Sequence, residues 1–163
     1  MQEDRFQVRL TDVHRMDFDT ALVGFGDHRG QDFLGLAGDD LAVVARSDDR
    51  KVAQAVKPWD GSCVEIFGAM PGKTPIGQVF LVPGTKTEPA AAFRSQDVKV
   101  VPAPEIRLKF KPTAKGYELS ALVPLGQLAL DKANPDFRLE AQVTIPGPDG
   151  TLQRGTLFGS VTA

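Results

Sequence analysis

The sequence predicts an all-β chain, a two-sheet antiparallel β-sandwich of jelly-roll or immunoglobulin-like architecture with one short helix, and three observations carry that expectation. Apolar and charged residues alternate with a period of two, as where Ile106, Leu108 and Phe110 alternate with Arg107, Lys109 and Lys111. Residues 41–45 and 76–82 are nearly continuous apolar runs, the composition of central strands. The strands so marked are short and are separated by turns rich in Gly, Pro, Asn and Asp.

The first marked strand is the run 41–45, within Asp40 to Asp49. A turn containing Pro58, Trp59, Asp60 and Gly61 then feeds a strand over 63–67. Alternation there puts Val64 and Ile66 on one sheet face and Cys63, Glu65 and Phe67 on the other. If the aliphatic pair faces the core, Glu65 points outward, toward whatever Trp59 borders. After the strand 76–82, residues 83–104 mix Pro, Ala, Thr and charge. They read as a long excursion across one sheet, with a short strand at 98–101, and long loops on sandwiches often frame sites. The alternating strand 106–110 comes next, followed by one whose apolar face is Tyr117, Leu119, Ala121 and Val123. Residues 125–130, after Pro124, read as the short helix. Phe137, Leu139, Ala141 and Val143, alternating with Arg138, Glu140 and Gln142, mark the last strand.

A chain of 163 residues has the size of one domain, and nothing in its composition divides it, so residues 1–163 are expected to share one core. The net charge of −2 supplies no basic stripe for phosphates, which argues against nucleic acid as a partner. No apolar run approaches a membrane span, and Met1 to Arg5 opens the chain without an apolar signal segment, so no membrane partner is expected. Cys63 stands alone, which excludes an internal disulfide and a cysteine-based zinc cluster.

Catalytic signatures are missing. The sequence has no G-x-S-x-G, no P-loop and no H-E-x-x-H, and Gly24 to Gly30 misses the dinucleotide-binding glycine spacing. A paired-carboxylate glycosidase stays open, because such pairs meet only in the fold. The chain's only tryptophan, Trp59, sits in turn chemistry that tends to leave its ring near the surface. A ring and a carboxylate together suit a sugar: a pyranose has an apolar face for an aromatic to cover and an edge of hydroxyls for acids, amides and guanidinium groups to bind. The competing reading packs Trp59 over the sandwich edge and leaves Glu65 salt-bridged on a solvated face.

Three blocks resemble family 9 carbohydrate-binding modules and their DOMON-like relatives. Trp59 to Phe67 is similar to W-D-x-x-V-E-I-F, Asp40 to Asp49 to the D-x-L-x-x-x-V-x-D strand before it, and Gly116 to Leu125 to the later G-Y-x-L-E-A-x-I-P strand. The resemblance spans roughly Asp39 to Ser160 and implies the same sandwich. By position it assigns sugar stacking to Trp59 and hydroxyl acceptance to Glu65, and places Arg46 and Asp48 on a neighbouring strand. With Arg94 and Arg154, these are the polar candidates to complete a site. The best-known modules clamp sugar between two tryptophans, and here Phe93 or Phe158 would have to substitute for the second. The implied protein is a non-catalytic, glycan-binding accessory module of a larger polysaccharide-degrading protein, extracellular or periplasmic, whose partners are a glycan and the parent's catalytic domain. No cofactor is expected, with one possible exception. The acidic pairs Asp17 and Asp19, Asp39 and Asp40, and Asp48 and Asp49 could hold a structural calcium, although none has EF-hand spacing. Two alternatives remain: a structural or protein-interaction sandwich that has lost the sugar site, and a haem-binding relative using Met16, Met70, His14 or His28.

Overall fold

The apolar runs become central strands because a strand covered on both sides needs no polar face. The computed structural model describes residues 32–72, 76–131, 138–147 and 149–156, with 32–37 and 156 as backbone only. In chain order the strands are β1 (Asp32–Ala37), β2 (Asp40–Ser47), β3 (Cys63–Ala69), β4 (Gly77–Val82), β5 (Ala91–Gln96), β6 (Lys99–Pro102), β7 (Arg107–Pro112), β8 (Tyr117–Pro124), β9 (Arg138–Pro146) and β10 (Leu152–Thr156). They form a four-stranded sheet, β1-β2-β8-β7, and a six-stranded sheet, β10-β9-β3-β4-β5-β6, in which every pairing is antiparallel. The chain crosses between the sheets three times, after β2, β6 and β8. The expected two-sheet β-sandwich is the observed fold.

Period-two alternation builds the core between the sheets. From the four-stranded sheet come Leu41, Val43 and Ala45 of β2 and Tyr117, Leu119, Ala121 and Val123 of β8. Opposite them stand Val64 and Ile66 of β3 and Val79 and Leu81 of β4. Burying each such aliphatic side chain contributes roughly 1.5–3 kcal/mol. Because residues one apart point to opposite faces, this inward set obliges Cys63 and Glu65 to face outward on the six-stranded sheet.

One expectation needs correction. Residues 83–104 are not simply a loop excursion, for they hold the antiparallel hairpin of β5 and β6. Asp97 and Val98 make its turn at φ of 49° and 58°, the positive values that a two-residue hairpin turn requires, without the usual glycine. The short helix expected at residues 125–130 is a 3-10 helix, Leu125–Leu128, ended by Ala129 at a φ of 54°. This turn lies against the β3–β4 end of the six-stranded sheet at Gly77, where a Cβ would come within 2.1 Å of the Leu128 carbonyl carbon. His14, Met16, Asp17, Asp19, His28, Phe137 and Phe158 lie outside the described residues.

Candidate functional site

The site is built on β3, the strand between β9 and β4. Register sets Glu65 opposite Gln142 on β9 and Phe80 on β4, so the three side chains share the outer face of the six-stranded sheet. Gln78, opposite Phe67, is the diagonal neighbour, close enough for a long side chain to reach across. Its Nε2 donates to Glu65 Oε2 at 2.8 Å, and Gln142 Nε2 donates to Glu65 Oε1 at 3.3 Å. Each carboxylate oxygen therefore holds one amide. Glu65 is 3% exposed, and among the described residues no cation touches it. Burial raises its carboxyl above the ordinary range, opposed by the Gln78 hydrogen bond, the Arg154 charge and the Gln142 hydrogen bond.

A loop stitched to the start of β3 carries Trp59. Ser62 N donates to Ala53 O at 2.8 Å, Ala53 N donates to Ser62 Oγ at 3.0 Å, and Ser62 Oγ donates to the buried Asp49 at 2.5 Å. Gln54 Nε2 ties the same loop to the carbonyls of Pro83 and Pro89 at 3.0 and 2.9 Å. Gly61 is required where the two arms meet, since a Cβ there would lie 2.6 Å from Ala53 O. The 3-10 turn Pro58–Asp60, with the proline at its favourable first position, then lays the indole over the sheet. The Trp59 and Phe80 ring centroids are 5.7 Å apart with planes tilted by 42°. Trp59 is half-buried, as are Phe93 and Val100, and all three pack around buried Cys63, Phe80 and Val82.

Arg154 links the ring to the acid. It stands on β10 opposite Thr144, its Nη2 donates to the Trp59 carbonyl at 3.2 Å, and its charge acts on Glu65 through space. Thr144, also opposite Cys63, is fully buried, and among the described residues its hydroxyl has no partner. The outer face thus has a polar half on β9 and β10, an apolar half on β4 to β6, and Glu65 between them.

The structure brings Trp59, Glu65 and Arg154 together, and it separates the other candidates from them. Arg46 is on β2, in the opposite sheet, where its Nε donates to Glu118 at 2.7 Å in a partly exposed ion pair. The neighbouring-strand placement implied for Arg46 and Asp48 is therefore corrected: consecutive strands of a sandwich can belong to different sheets, and β2 and β3 do. Asp48 is exposed in the loop after β2, while Asp49 is consumed in holding that loop. Arg94, opposite Val79 on β5, belongs to the face away from Glu65. Met70 is a core residue at 7% exposure. No cluster of three or more His, Cys, Asp or Glu side chains suited to a metal occurs among the described residues. The buried Cys63 thiol titrates well above its ordinary range because burial disfavours the thiolate, which makes it a poor nucleophile.

Gln78 and Gln142 are the residues that sequence reasoning missed. Alternation identifies Gln142 only as an outward residue of its strand. The overlooked signal is a glutamine on an outward slot of each strand flanking β3, which becomes meaningful once the register is known.

No protein-family model and no curated protein sequence matches the chain. Among solved structures it is similar to a carbohydrate binding module family 9 from Caldicellulosiruptor kristjanssonii in complex with cellotriose, with a TM-score of 0.52 and 18% sequence identity. The match covers 76% of this chain and 61% of that one, less than two thirds of its length. At this identity the likeness is one of fold.

Proposed function

We propose that this chain is a non-catalytic carbohydrate-binding domain that receives a glycan on the outer face of its six-stranded sheet. The observation that carries the reading is the half-buried indole of Trp59, fixed by a stitched loop beside a ready-made set of polar side chains. In this role the ring covers the apolar face of a pyranose, while Gln78 and Arg154, the more accessible polar groups, meet hydroxyls. Glu65 works from beneath. With both oxygens engaged and little exposure, it fixes the amide of Gln78 and, through Arg154, helps position the turn that carries the ring. The fold likeness to a module solved with cellotriose supports the reading. Such a domain serves a larger polysaccharide-acting protein by raising the effective concentration of its partner near the glycan, so that a single site can bind weakly and still suffice.

The test is a glycan-array screen of the protein and its Trp59→Ala variant. Loss of about 2 kcal/mol, roughly thirtyfold in affinity, with the fold retained is expected of a central aromatic anchor. Equal binding by the variant would remove Trp59 from the site, and no signal from either protein would overturn the carbohydrate reading.

A further inference from the structure

The aromatic residues of the outer face form a row across the strands. Phe80 on β4 is paired in register with Phe93 on β5, and Phe93 in turn with Pro102 on β6. Trp59 lies on Phe80 from above, while Phe93 and Val100 flank the same buried cluster and remain half-buried. A clamp of two facing rings would admit one sugar between them. A row offers successive platforms, separated by the inter-strand spacing of about 4.8 Å, which is close to the length of one pyranose in a chain.

We propose that Phe93 is a second sugar subsite, so that the site takes an extended oligosaccharide lying across β4, β5 and β6, one residue on Trp59 and the next on Phe93. This rests on the carbohydrate reading above and specifies the shape of its ligand. The row has the composition of such a site. Phe93 supplies the apolar platform, Val100 and Pro102 continue it toward the sheet edge, and the exposed Ser95, two residues along on the same face, offers a hydroxyl beside the track. On the same side of the row, half-buried Gln78 extends from β4 across from Ser95. Trp59 and Phe93 are the half-buried rings of one apolar cluster whose buried centre includes Phe80, so the two platforms share an apolar base.

The test is titration calorimetry with cello-, xylo- and manno-oligosaccharide ladders of one to four units, for the wild-type protein and for Phe93→Ala, Phe93→Leu and Trp59→Ala. For the ladder that binds, wild-type affinity is expected to rise about tenfold between the monosaccharide and the trisaccharide. Both Phe93 variants should lose that rise and keep the monosaccharide affinity, whereas Trp59→Ala should lose binding at every length. Phe93→Leu keeps apolar packing on Phe80 without the flat ring, so it separates loss of a platform from loss of fold. A wild-type affinity independent of length, or Phe93→Leu matching wild type on the trisaccharide, overturns the subsite and leaves the carbohydrate reading standing. Silence on all three ladders overturns both.

Discussion

Glu65 and Glu118 both point outward from central strands, one from each sheet, and the protein treats them in opposite ways. Glu118 meets the guanidinium of Arg46 at 2.7 Å, with the two side chains 23% and 42% exposed. Water and a cation both stabilise its charge there. Glu65 is 3% exposed and held only by neutral amides, with Arg154 acting at a distance. A surface pair of the first kind contributes little and implies nothing about ligands. A buried acid with two dedicated amides is disfavoured by desolvation, and its link through Arg154 to the turn that carries Trp59 marks it as a candidate for a role beyond folding.

Truncating each acid tests the contrast most strongly. Glu65→Ala removes the acceptor of two amides, one of them on buried Gln142, and should lower stability by about 2 kcal/mol in urea unfolding. Glu118→Ala should lower it by less than about 1 kcal/mol, because its partner can turn to water. Equal losses would abolish the distinction between the two faces.

A smaller effect sharpens the same contrast. The folded Glu65 carboxyl holds its proton more tightly than the unfolded one, whose ordinary value is 4.5. Its ionisation therefore opposes folding, and stability from this group falls as pH rises from the unfolded value through the raised folded one. Glu65→Gln lacks that ionisation. The difference in unfolding midpoint, variant minus wild type, should grow in the variant's favour across that window and then level off. A difference that stays flat with pH would mean that burial does not perturb this carboxyl.

Much of the fold was legible because the core is written in period two: β2, β3, β4, β7 and β8 were all marked by apolar runs or alternation. The strand β5 was not. Its sequence, Ala-Ala-Phe-Arg-Ser-Gln, has little β-forming character and follows a proline-rich stretch, and its turn carries Asp97 and Val98 where a glycine would have signalled a hairpin. Pairing with β4 decides its conformation. In the candidate site, the outward direction of Glu65 followed from Val64 and Ile66 facing the core. Its burial did not, because that depends on Gln142, which is 77 residues away and reaches it only through register. The resemblance places Arg46 and Asp48 on a strand neighbouring Glu65, but the order of strands along the chain says nothing about which of two sheets a strand joins.

The two amides on Glu65 are also expected to arrive at different times. Gln78 is 13 residues from Glu65, across a hairpin, and Gln142 is 77 residues away. Closing the shorter loop sacrifices less chain entropy, and pairings of small sequence separation form faster than distant ones. The nascent sheet is therefore expected to carry a half-clasped acid until β9 docks and seals the carboxylate. Pulse-labelled hydrogen exchange during refolding should show protection in β3 and β4 ahead of β9. Simultaneous protection would mean that the acid is enclosed in a single concerted step.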